Sequence, residues 1–270
     1  MLNHLYINGC SHASGWGKGH EFSVTKESGM KSWVDHFAEK TSASELWNHS
    51  LIGKPIGMST IDTYGFCEEY YQRYKTFKDL FVCVEYTLPV YKLFNPVEIT
   101  TGQFKGEYVI PVSFMSGEWF TNEDPNEKYI TMWIRKTKEY LAPQEPEFIF
   151  VSKDNIGEQN LNAHNNNLYE WTKDKNIDIM PFIEYAYTEI KNTQQYLEQR
   201  NIKYLMYWVG GTQEEFTRFV DQKYRSLYKD NKFIPMTTYS GTKHGTEWSE
   251  KPFINHPDAI GHKRIADFIF

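Results

Sequence analysis

The segment Leu2-Asn3-His4-Leu5-Tyr6-Ile7-Asn8-Gly9-Cys10-Ser11-His12 decides the fold. Residues 2–7 read as a short strand, and Asn8 to His12 read as the turn that ends it. The same pattern returns further on. Residues 45–50 form a second short strand. Leu80-Phe81-Val82-Cys83-Val84 is a buried-strand run with a polar exit at Glu85-Tyr86-Thr87. Tyr204 to Val209 is another, closed by Gly210-Gly211, and Phe233 to Met236 is a shorter one. Helical spacing lies between them. Trp33, Val34, Phe37 and Ala38 share one helix face. A helix over 61–78 can be capped by Ser59 or Thr60. Further helices are expected at 178–200, at 213–228, and from Asp258 to the end, with Asp258 as N-cap and Ile265, Phe268 and Ile269 on one face. Strands alternating with helices give an α/β fold, a parallel sheet covered on both faces. The strands at 2–7, 80–84 and 204–209 are expected at its centre. Ligands of such sheets sit at the carboxyl ends of the strands, and Ser11 and Glu85-Tyr86-Thr87 fall just past two of them.

Residues 95–175 break the rhythm. They carry Gly-rich and Asn-rich stretches, an expected helix near 127–141 and an expected strand at Phe148-Ile149-Phe150-Val151. Their ends show no linker composition, so they read as an insertion or lid in a single domain spanning 1–270. Phe114, Trp119, Phe120 and Trp133 either shape a pocket beneath that lid or form its local core.

The chain has 270 residues and a net charge of −6 with acids and bases mixed along it. A chain of this size buries a core without a metal or disulfide staple. Without a basic stripe, nucleic acid is not expected as a partner. Cys10, Cys67 and Cys83 are odd in number and form no CxxC pair, which fits a reducing compartment. The N-terminus enters a strand at once with no leader pattern, so a cytoplasmic location is expected. No stretch approaches the roughly 20 apolar residues of a membrane span. Aromatics make up 17% of the chain and serve either a core or a flat ligand such as a sugar.

Two motifs carry the chemistry. Gly9-Cys10-Ser11-His12 follows the first strand directly. His256-Pro257-Asp258-Ala259-Ile260-Gly261-His262 directly precedes the last helix. A serine at a strand end can face a cleft, and it becomes a nucleophile when a base removes its proton. A histidine on the loop before the last helix can turn toward the same cleft. Read alone, Ser11 is equally a turn residue whose hydroxyl bonds nearby backbone. His12 and His262 read as orienting or packing residues. Cys10, His12, His256, Asp258 and His262 match no tight metal-ligand spacing, so neither a metal nor another cofactor is expected.

Together the two motifs resemble the serine and histidine blocks of the SGNH/GDSL hydrolase family, with Cys10 where Asp is often found. The first looks most like the Gly-Cys-Ser-His form of phage-encoded and uncharacterised members. The resemblance covers about residues 1–90 and 200–270. It implies a flavodoxin-like three-layer sandwich, with Ser11 attacking an ester carbonyl and His256 as general base. It also implies an oxyanion hole built from the Ser11 N–H and a glycine N–H after the second strand. Gly57, which leads Met58-Ser59-Thr60 into a helix, is preferred for that glycine; Gly53 has the better spacing from Asn48. Two positions depart from the family. An asparagine expected after the third strand is replaced by Glu85-Tyr86-Thr87, where the hydroxyl of Thr87 or Tyr86 can substitute. The aspartate expected three residues before the histidine is Phe253. That leaves a Ser-His dyad, with Glu250 as a distant acid or Asn255 beside the base as orienting candidates.

The expected activity is removal of an acyl group, an O-acetyl group foremost, from a carbohydrate or similar small ester. Two alternatives stand beside it. One is a catalytically weak SGNH-like binding or structural domain, phage-related and virion-associated. The other is an acyltransferase of the same fold. The sequence assigns no oligomeric state.

Overall fold

A computed structural model describes residues 3–14, 31–50, 54, 56–87, 92–99, 106–113, 130–135, 139–141, 146–151, 180–210, 214–250 and 257–269. For 92–99, 106–113, 130–135 and 146–151, and for Ser11, Ser14 and Thr242, the description is of backbone. Four strands form a parallel sheet: β1 (His4–Asn8), β2 (Glu45–Asn48), β3 (Leu80–Tyr86) and β8 (Lys203–Trp208). Their order is β2-β1-β3-β8, so β1 and β3 are central as expected, whereas β8, also expected at the centre, is the last strand of the four. Tyr6 stands beside Trp47 on one side and Val82 on the other, and Val84 pairs with Met206. The expected strand at 233–236 is reduced to isolated parallel bridges, Met206 with Phe233 and Trp208 with Ser240. Pro235 lies inside that run and has no N–H to give a ladder.

Side chains alternate along each strand, so each strand feeds two cores. Tyr6, Val82, Val84, Tyr86, Met206 and Trp208 pack into one. That core is covered by α3 (Ile56–Tyr74), α4 (Met180–Gln199) and α5 (Glu214–Tyr224). Leu5, Ile7, Cys83, Leu205 and Tyr207 pack into the other. There they meet α1 (Ser11–Ser14), α2 (Trp33–Thr41) and α7 (Ala259–Ile269). The fold is the α/β three-layer sandwich that the alternation of strands and helices predicts. A short α6 (Gly241–Glu247) packs on α7.

Local sequence sets the helix ends. Ser32 caps α2: its hydroxyl accepts from the Asp35 N–H, and the Asp35 carboxylate accepts from the Ser32 N–H at 2.6 Å. The helix stops at Ser42 in the left-handed conformation, φ 53°. Asp258 caps α7 as expected, its Oδ1 accepting from the Gly261 N–H at 2.9 Å. The α3 helix starts at Ile56, earlier than the expected cap at Ser59 or Thr60, and both of those residues are buried within it. Among the described residues no helix is long and apolar enough to cross a membrane.

The region after β3 forms two antiparallel hairpins. In one, β4 (Lys92–Ile99) pairs with β5 (Gly106–Ser113). In the other, β6 (Ile130–Arg135) pairs with β7 (Pro146–Val151). The strand expected at 148–151 is present. The helix expected near 127–141 is replaced by β6: Ile130-Thr131-Met132-Trp133-Ile134 is rich in β-branched and aromatic residues and finds a partner in Phe148-Ile149-Phe150. Between the strands of this hairpin, Glu69 of α3 accepts from the N–H groups of Tyr140 and Leu141, and Trp47 donates to the Leu141 carbonyl. Phe114, Trp119 and Phe120 lie outside the described side chains, as does Trp133.

Phe66 is fully buried and stacks on Tyr6 with ring centroids 3.9 Å apart. Phe66→Ala is expected to cost about 3–5 kcal/mol of stability, measured by urea denaturation; a loss under about 1 kcal/mol contradicts this packing.

Candidate active site

The chain leaves β1 over the face of α1 and α2 to reach β2, then returns over the face of α3 to reach β3 on the other side of β1. Connections that diverge to opposite faces open a crevice outside the carboxyl ends of β1 and β3. Ser11 lies at this carboxyl edge, as expected: it is the first residue of α1, three positions past the last residue of β1.

The residue that holds this turn is Glu85, near the end of β3. Alternation points it to the α1 face, and it is 2% exposed. Its Oε1 accepts from the Cys10 N–H at 3.0 Å, the Cys10 thiol at 3.2 Å and the Ala13 N–H at 3.3 Å. Its Oε2 accepts from the Tyr207 hydroxyl at 2.8 Å. The first N–H groups of a helix lack intrahelical acceptors, and Glu85 supplies one from another strand. Burial pushes its carboxyl above the usual carboxylate range, opposed by the Cys10 thiol, the Tyr207 hydroxyl and the two N–H donors. Gly9 makes the approach feasible: a Cβ there would stand 2.7 Å from the Glu85 Cβ and 3.0 Å from its Oε1. Asn48, at the end of β2, holds the same turn by donating to the Ala13 carbonyl at 2.9 Å.

On the other face Asn8 closes β1. Its amide donates to the Ser59 carbonyl at 2.7 Å and the Thr63 hydroxyl at 2.9 Å, both on α3. Its Oδ1 accepts from the Lys54 ammonium at 2.5 Å. Lys54 also pairs with Asp62 at 2.5 Å and donates to the His49 carbonyl at 2.7 Å. The Thr87 hydroxyl donates to the Lys54 carbonyl at 3.3 Å, while the Tyr86 ring packs in the core beside Trp208 and Phe233. Gly57 is buried in the first turn of α3.

The histidine block is described from Pro257 onward. His262 is fully buried, and its Nδ1 accepts from the Trp33 N–H at 3.3 Å, a packing role. His12 is 2% exposed and faces α6, where a Cβ on Gly241 would stand 3.3 Å from its Nδ1. Asp258 Oδ2 accepts from the Glu250 N–H, and Glu250 itself is exposed. Gly53, Asn255, His256 and the Ser11 side chain lie outside the described residues and side chains. Among the described residues, no group of three or more His, Cys, Asp and Glu is placed to hold a metal ion.

Sequence reading missed Asn8, Lys54, Asp62 and Glu85. A signal existed only for Glu85, a charge in the polar exit of an apolar strand.

No protein-family model matches the chain, and no curated protein matches it. A solved structure similar to it is an acetyl xylan esterase from the rumen bacterium Butyrivibrio proteoclasticus, at 10% identity and a TM-score of 0.41. The match covers 99% of this chain, which spans 63% of the length of that one. Fold and site define an α/β three-layer sandwich with a buried polar apparatus at the carboxyl edge of its sheet.

Glu85→Leu leaves two N–H donors without an acceptor and is expected to destabilise the protein by about 2–4 kcal/mol. Glu85→Gln keeps an acceptor oxygen and removes the buried charge. A carboxyl whose folded pKa is raised loses stability as pH rises from its ordinary value of 4.5 to its raised one. The melting temperature of Glu85→Gln, compared with wild type, is therefore expected to be lower or equal at pH 4 and to gain relative to it toward pH 7. A gap that does not change with pH contradicts the burial of this charge.

Proposed function

We propose that the chain is a serine esterase or deacylase of SGNH type, in which Ser11 attacks an acyl ester and His256 is the base. One observation supports the convergence of these two residues. Pro257 follows His256 in sequence, is buried, and lies where a Cβ on Gly245 would stand 3.4 Å from its own Cβ. Gly241, one helical turn or about 6 Å away on α6, faces His12, which follows Ser11. The residues that follow Ser11 and His256 are thus held against one short helix.

In this reading His256 takes the Ser11 proton as Oγ bonds to the ester carbonyl carbon. The oxyanion is met by the Ser11 N–H and by a glycine N–H, from Gly57 or Gly53; the one O–H of Thr87, a further donor expected from the sequence, is given to the Lys54 carbonyl instead. His256 then gives the proton to the leaving alkoxide, and water, deprotonated by His256, releases the acyl group from Ser11. The substrate is an O-acetyl ester, on a carbohydrate in keeping with the aromatic content. The acid partner is missing from position 253. Loss of that partner costs up to about 10⁴ in kcat where a triad is complete, so turnover is slow.

Hydrolysis of p-nitrophenyl acetate by purified protein is expected to be weak, and abolished in Ser11→Ala and His256→Ala. Its kcat/KM is expected to fall as pH drops through about 6.5, where an ordinary histidine takes up a proton. Hydrolysis that survives Ser11→Ala defeats this mechanism. Absence of hydrolysis across a broad panel of acyl esters favours the binding-domain alternative.

A further inference from the structure

Lys54 is 1% exposed, yet it carries a charge. Charge in a protein interior is costly, and a buried ion pair is commonly replaceable by apolar side chains without loss of stability. What such a group supplies is position. The Lys54 ammonium has three N–H donors. It donates to Asn8 Oδ1 and the His49 carbonyl and forms an ion pair with Asp62 Oδ2. Its own carbonyl accepts from the Thr87 hydroxyl. Asn8 ends β1, His49 follows β2, Thr87 follows β3, and Asp62 belongs to α3. One residue therefore ties together every strand end and the helix that border the crevice on this face. Asn8 strengthens the tie through the Ser59 carbonyl and the Thr63 hydroxyl.

We propose that Lys54 is a positioning residue that fixes the first turn of α3, with the Gly57 N–H, against the β1 exit that carries Ser11. The proposal rests on the Ser11 esterase reading. The N–H of Gly57 has no acceptor inside its own helix. Such a donor serves a developing oxyanion only if it is held in place, since a misplacement near 1 Å costs about 10²-fold in rate. Glu85 locks the serine turn from one face of the sheet, and Lys54 locks the facing helix turn from the other.

The test compares wild type with Lys54→Met, Lys54→Met/Asp62→Leu and Asp62→Asn. The double variant removes both charges together, so that neither is left buried alone. Three quantities are measured: kcat and KM on p-nitrophenyl acetate, the rate at which a p-nitrophenyl phosphonate modifies Ser11, and the melting temperature. The phosphonate forms a tetrahedral adduct that calls on the same oxyanion donors. The expected result is a double variant that melts cooperatively, with kcat lowered about 10- to 100-fold, KM within about threefold, and phosphonylation slowed in parallel with kcat. Asp62→Asn, which keeps an acceptor oxygen, lowers kcat by a smaller factor. A folded double variant with wild-type kcat and phosphonylation overturns the proposal, as does one that changes KM alone; either leaves the Ser11 reading intact. A wild type inert to both reagents, or modification that persists in Ser11→Ala, removes the Ser11 reading and this proposal with it.

Discussion

A parallel sheet buried on both faces gives its polar side chains one way out, the ends of its strands. The apolar residues of β1, β3 and β8 enter one of two apolar cores, and the alternation of the strand decides which. Polar groups at the carboxyl edge inherit the same phase. Asn8 follows Tyr6 by two positions and faces α3, while Glu85 follows Cys83 by two and faces α1. The crevice is consequently gripped from both faces at one edge, and nothing comparable is needed along the apolar body of the sheet.

The two grips differ in chemistry. Glu85 is a single carboxylate that gathers N–H, S–H and O–H donors from α1, its approach and β8. Lys54 and Asp62 form an ion pair whose cation is finished by neutral acceptors. Both keep charge in the interior, where an unpaired charge would cost far more than a hydrogen bond returns. Placing their partners on different elements makes each one a spatial clamp. Rigid strands and helices then carry the candidate chemistry, which suits a site needing sub-ångström placement.

The region after β3 follows a separate logic. Its strands pair with each other in two-stranded antiparallel ladders and not with the parallel sheet. Tyr140 and Leu141 tie it to the sandwich through the Glu69 carboxylate on α3 and the Trp47 indole on the edge strand. The packing of Tyr140 is close enough that a Cβ on Gly65 would stand 2.2 Å from its ring.

Periodicity alone determined the layered α/β class, the central place of β1 and β3, the position of Ser11 past β1 and the capping of α7 by Asp258, because all of these depend on neighbours a few residues away. The start of α3 and the strand character of 130–135 were not legible, because distant partners overrode local preference: Asn8 holds Ser59, and Phe148 pairs with Trp133. The partners of the four side chains that hold this edge were illegible for the same reason, although Glu85 stood out as a charge in the polar exit of an apolar strand. Asn8, Lys54, Asp62 and Glu85 fit no motif of spacing, since their partners lie on other elements brought together by the order β2-β1-β3-β8. The sequence determined which residues could do chemistry at a strand end. Only the tertiary structure decided which buried charges hold them there, because burial and pairing are properties of the assembled sheet and helices.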